Sequence, residues 1–142
     1  MSTLDSLIRL HRWKLDERRR QLAELESFAE RLRQDRQHLD EEHVREQHTA
    51  AQSFEGQLAY PGYLQHARER QITLDRSLGE TNGQITLARE ALADAFQELK
   101  RHEIAAASRD YQRRQQLARR ERIELDAVAI ENYRRRSGAA AS

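Results

Sequence analysis

The side chains of this chain that could do acid–base or metal chemistry are its six histidines and its 24 Asp and Glu residues. His38, His43 and His48 recur every five residues, a spacing that spreads them around a helix instead of gathering them on one face. His43 with Glu46, and Glu98 with His102, do share a face. A di-iron centre needs carboxylate and Glu-x-x-His sets from four helices, and this chain supplies two. Glu42 and Glu46 form an ordinary solvated i,i+4 pair. No Gly-rich phosphate loop, nucleophile elbow or zinc-protease signature is present. The chain has no cysteine, which excludes disulfides and thiolate metal sites. The expectation is a non-enzyme with no catalytic residue, no cofactor and no metal, whose work is binding.

The arginines are the other chemical feature. Arg18-Arg19-Arg20, Arg113-Arg114, Arg119-Arg120 and Arg134-Arg135-Arg136 could contact phosphates, and Lys14 and Lys100 are the only lysines. Net charge is +1, which hides an asymmetry. Arg9 to Arg20 holds six basic and two acidic residues, Glu24 to Glu55 four and nine, and Arg109 to Arg136 nine and five. Acidic residues interleave with the arginines and no reader motif appears, so nucleic acid is not an expected partner. No apolar run approaches the roughly 18 residues that span a bilayer. Each helix carries both charge signs on its polar face, so direct membrane insertion is not expected either. Met1 to Leu10 has no apolar core of a secretory signal.

What positions these residues is helix. Apolar residues are 37% and charged residues 35%, with mean hydropathy −1.00, a balance that suits coiled coil better than a thick core. Ser2, Thr3 and Asp5 favour a helix start. Ile8, Leu15, Leu22 and Ala29 form one seven-residue series; Leu4, Leu25, Leu32 and Leu39 form its companion, with His11 and Arg18 between. Together they make a coiled-coil seam. Arg36, His43 and Glu46 then enter it, and Val44, Ala51, Phe54 and Leu58 resume the pattern one position later, a slip that would change the supercoil. The first helix is expected over about 3–58. Pro61 is the only proline, and Tyr60-Pro61-Gly62-Tyr63 is a turn signal, placing the turn at 59–63. A second helix is expected over about 63–136. Leu64, Leu78, Ile85, Leu92, Leu99 and Ala106 form its seam, with Ala67, Leu74, Ala88 and Ala95 as companions. Gly79 and Gly83 mark a bend or a close approach, and 137–142 a frayed tail. The expected fold is all-α: one domain, a long two-helix antiparallel coiled-coil hairpin. Folding about Pro61 pairs Leu4 near Ala118 and leaves an overhanging C-terminal helix from Arg119, with Ile123, Ala127 and Ile130 on one face.

The opening Leu4-Asp5-Ser6-Leu7-Ile8-Arg9-Leu10-His11-Arg12-Trp13-Lys14-Leu15, followed by Leu22-Ala23-Glu24-Leu25, resembles the start of the flagellar export protein FliJ family. The tyrosine-bounded segment leading into Tyr63-Leu64 and the closing Arg119-Arg120-Glu121-Arg122-Ile123-Glu124-Leu125-Asp126 resemble it too. The resemblance spans essentially the whole chain, and an injectisome stalk homologue is the alternative of the same kind. It implies a stalk-like coiled coil, cytoplasmic and peripheral at the cytoplasmic face of the inner membrane. Its implied partners are the export ATPase hexamer, the cytoplasmic domain of the export-gate membrane protein, and export chaperones. The gate-binding patch of the family maps to Tyr63, Ala67, Arg70 and Leu74; Arg70 and Leu74 depart from the family's small residue and histidine. The open end that would meet the ATPase ring carries Trp13, Arg18, Arg19, Arg20, Arg119, Arg120, Ile123, Ala127 and Ile130. A generic coiled-coil scaffold or dimerisation protein is the alternative from a different class.

Overall fold

A computed structural model describes residues 2–141, with side chains as far as Ala139. Two long helices pack against each other: α1, Thr3–Gln52, and α2, Phe54–Ala141. Among the described residues there is no strand. The fold is therefore the expected all-α hairpin, but the chain reverses elsewhere. Only Ser53 separates the helices, and Pro61 lies inside α2.

Local chemistry accounts for the break. The Gly56 N–H donates to Ser53 Oγ at 2.9 Å and the Gln57 N–H to Ser53 O at 3.1 Å. Ser53 is thus the N-cap of α2. A Cβ on Gly56 would lie 2.9 Å from Ser53 Oγ, 3.0 Å from Thr49 O and 3.2 Å from Ala50 Cα. Glycine is what lets the first turn of α2 press onto the last turn of α1. Pro61 removes the i+4 donor of Gln57 O, yet both residues are exposed, so water can serve that carbonyl. The start of α1 is a capping box: Ser2 N–H donates to Asp5 Oδ2 at 3.2 Å, and Asp5 N–H to Ser2 Oγ at 3.1 Å.

By contact, the chain forms two compact units, one of Met1–Leu10 with Glu98–Ser142, the other His11–Gln97. In the second unit Arg36 Nε meets Asp75 Oδ1 at 3.0 Å and Arg89 Nη2 meets Glu26 Oε1 at 3.4 Å, an antiparallel register. Leu15, Leu92 and Phe96 line one groove there. Reversal at Pro61 would instead bring Leu15 opposite the small Ala107 and Ile8 opposite Arg113 or Arg114, so that Ile8 would face charge and Leu15 would lose the larger Leu92 and Phe96. In the first unit, Asp5 sits within electrostatic reach of Arg109. The expected pairing of Leu4 near Ala118 is therefore out by about two helical turns.

The seam on α1 does not slip. Half-buried or buried positions run Leu4, Ile8, His11, Leu15, Leu22, Leu25, Ala29, Leu32, Arg36, Leu39, His43, Glu46 and Ala50, in unbroken steps of three and four around the exposed Arg18. The resumed set Val44, Ala51, Phe54 and Leu58 is exposed. Arg36 fills a seam position because Asp75 and Asp40 both bind its guanidinium. Burial opposes that charge, but the two carboxylates outweigh it and the Arg36 pKa rises. On α2, Thr81 takes the seam position between Leu74 and Ala88, and its hydroxyl donates to Ser77 O at 2.7 Å. Gly79 and Gly83 face open space within an unbroken helix, so no part of the chain approaches them closely. Helix also continues through Ala141, where a frayed tail was expected; Ser142 lies outside the described residues.

Candidate functional site

Three regions carry the candidate residues. The first surrounds the early turns of α2, in the unit His11–Gln97. His43, Tyr60 and Tyr63 form a ring cluster with centroids 6.2, 6.3 and 6.4 Å apart. The tyrosines do not bound a turn; they close the seam between α1 and α2. Tyr63 Oη is buried with no hydrogen-bond partner among the described residues. Its pKa is raised, first by burial and then by the nearby Glu42 and Glu46 carboxylates. Ala67 and Leu74 are 6% and 5% exposed, inside the seam. Of the expected gate-binding set, only Arg70 is fully on the surface, on the rim of a groove it shares with Asp35, His38 and His66. A position early in α2 does not make a residue available, because every third or fourth one faces α1.

An expected result follows from the buried hydroxyl. A phenol with a raised folded-state pKa adds stability below its ordinary value near 10, and that contribution is lost as pH rises through the folded value. Tyr63→Phe removes both the titration and an unsatisfied donor. We expect it to gain about 1 kcal/mol at neutral pH and to flatten the stability loss above about pH 10. Urea unfolding at neutral and alkaline pH checks both.

The second region is the α1 surface at Trp13 and Arg18–Arg20. Trp13 is 62% exposed. Arg18 donates to Gln21, Arg19 pairs with Asp16 at 3.6 Å, and Arg20 with Glu17 at 2.6 Å. These are local, exposed pairs worth little individually.

The third region belongs to the other unit. From Ala107 to Ala139 every residue of α2 is exposed. This stretch includes the expected Arg119, Arg120, Ile123, Ala127 and Ile130, and it starts about twelve residues earlier than folding at Pro61 implied. It therefore also takes in Tyr111, Arg113, Arg114 and Leu117. Ile123 and Ile130 are 59% and 56% exposed. On another side Leu125 and Val128 border a shallow groove with Glu121 and Glu124. Leu125 and Val128 stand three apart, so helical spacing alone puts them on one side of α2. Among the described residues, no ion pair engages Arg113, Arg119, Arg120 or Arg134, and no group of three His, Asp or Glu could hold a metal ion. No helix of the described residues is long and apolar enough to cross a membrane.

Comparison with protein families, curated proteins and solved structures finds no match for this chain.

Proposed function

We propose that this chain is a stalk-like component of bacterial flagellar type III protein export, acting by binding and carrying no chemistry of its own. The reading is supported by the resemblance of Leu4–Leu25 and Arg119–Asp126 to the FliJ family. The structural observation that carries it is the exposed stretch of α2 from Ala107 to Ala139, which keeps apolar side chains at Tyr111, Leu117, Ile123, Leu125, Val128 and Ile130. A helix without tertiary packing gains little from propensity alone, so apolar faces of this extent suit a partner.

In this reading the exposed stretch enters the export ATPase hexamer and binds the assembled ring more tightly than its separate subunits. A tenfold preference shifts assembly by about 1.4 kcal/mol. Arg70 and its surroundings on α2 meet the cytoplasmic domain of the export-gate membrane protein, and export chaperones are further partners. The chain would sit peripherally at the cytoplasmic face of the inner membrane, serving flagellum biogenesis and, through motility, chemotaxis.

The test is to add the full chain to purified export ATPase and measure hexamer fraction and turnover. Both should rise, and a chain truncated after Ala106 should lose the effect while its remaining helices unfold as before. If the full chain changes neither quantity, it is a generic coiled-coil scaffold instead.

A further inference from the structure

We infer that the face of α2 formed by Arg113, Arg120, Ile123, Ala127, Ile130 and Arg134 binds an acidic amphipathic helix from a partner protein. The inference takes from the proposed function only that the exposed stretch is the working surface.

The face continues an interface that already exists. Within the unit of Met1–Leu10 and Glu98–Ser142, Leu99 is buried and His102 and Ala106 are half-buried, in the unit where Leu4 and Ile8 of α1 are half-buried as well. Steps of three and four carry that seam on through Arg109, Arg113, Gln116, Arg120, Ile123, Ala127, Ile130 and Arg134. α1 ends its cover near Arg109, where the Asp5 carboxylate of the capping box lies. The spacing does not end there: Arg109, Arg113, Gln116 and Arg120 hold its next positions, and apolar residues return at Ile123, Ala127 and Ile130. Residues at steps of three and four stay on one side only when a supercoiling helix follows them, and residues 107–139 span about 50 Å.

Charge selects the occupant. Residues 107–139 hold nine Arg against five Asp and Glu, net +4. The same stretch of a second copy would bring +4 against +4, with arginines in both seams. Arg113, Arg120 and Arg134 stand at seam positions, and none has an ion-pair partner among the described residues. Arginine lays its stem along an apolar seam and presents a fork that matches a carboxylate. The partner helix therefore carries apolar residues opposite Ile123, Ala127 and Ile130, with Glu or Asp opposite the arginines on either side.

The test uses the full chain and two synthetic four-heptad peptides. One has Leu at its central seam positions and Glu at the outer ones; the other has Lys for each Glu. Calorimetry should show micromolar binding of the Glu peptide that weakens with salt, and no binding of the Lys peptide. Ile123→Asp with Ile130→Asp should weaken binding at least about tenfold, with helix content unchanged. The charge-reversed variant Arg113→Glu, Arg120→Glu, Arg134→Glu should lose the Glu peptide and gain the Lys peptide. No binding, or equal binding of both peptides, overturns the inference. So does a concentration-dependent dimer in sedimentation that Ile123→Asp with Ile130→Asp abolishes, which makes the occupant a second copy. Displacement of the Glu peptide by duplex DNA at equal concentration makes it a nucleic acid. Peptide binding without stimulation of the ATPase would refute the ring reading and leave this one standing.

Discussion

Replacing Pro61 with Ala is expected to stabilise the chain by up to about 3 kcal/mol, the cost of a proline in a helix interior. Pro61 lies eight residues into α2, exposed, and its ring restricts a helix that continues on both sides. Alanine restores the donor for Gln57 O and removes the clash with that carbonyl. The corner itself should respond in the opposite way. Gly56→Ala puts a methyl 2.9 Å from Ser53 Oγ and 3.0 Å from Thr49 O, and should cost about 1–2 kcal/mol. Gly79→Ala and Gly83→Ala meet nothing within 4 Å and should each gain up to about 1 kcal/mol. Thermal unfolding followed by helix ellipticity ranks all four. A loss of stability in Pro61→Ala, with Gly56→Ala neutral, would return the reversal to residues 59–63.

Leu74→Ala should cost about 2–4 kcal/mol, because Leu74 is 5% exposed in the seam and its neighbours cannot collapse freely onto the space. Phe54→Ala and Leu58→Ala, at 73% and 68% exposure, should stay within about 0.5 kcal/mol of the parent. Urea denaturation decides between these and a slipped seam, in which Phe54 and Leu58 would be the expensive losses. The comparison bears on partner mapping. Loss of a gate interaction in Leu74→Ala or a bulky Ala67 variant would report damage to the hairpin. Arg70→Ala perturbs the surface alone and is the variant to use; it should leave stability within about 0.5 kcal/mol.

By itself the sequence determined the class of structure. Apolar residues at steps of three and four, with charge everywhere else, leave two long helices as the only way to bury a narrow stripe. The start of α1 was legible as well, because Ser2 and Asp5 cap through bonds only three residues apart. So was the apolar, arginine-rich character of α2 beyond the seam. What the tertiary structure decided was the register. Pro-Gly outranks Ser-Phe-Glu-Gly as a local turn signal, but a proline in a helix costs about 3 kcal/mol once, whereas a wrong register strips apolar partners from many seam positions. Local preference lost to the sum over the seam. The same register kept Arg36, His43 and Glu46 in the interface, where Asp75 answers Arg36 and Tyr60 and Tyr63 answer His43 across the helices. It also held Ala67 and Leu74 in the seam where their spacing places them, which takes them out of the gate-binding patch that the family resemblance implies, and set where α1 stops covering α2. Such pairings join residues 17 to 39 positions apart. No local pattern encodes them, because they exist only when one helix lies against the other.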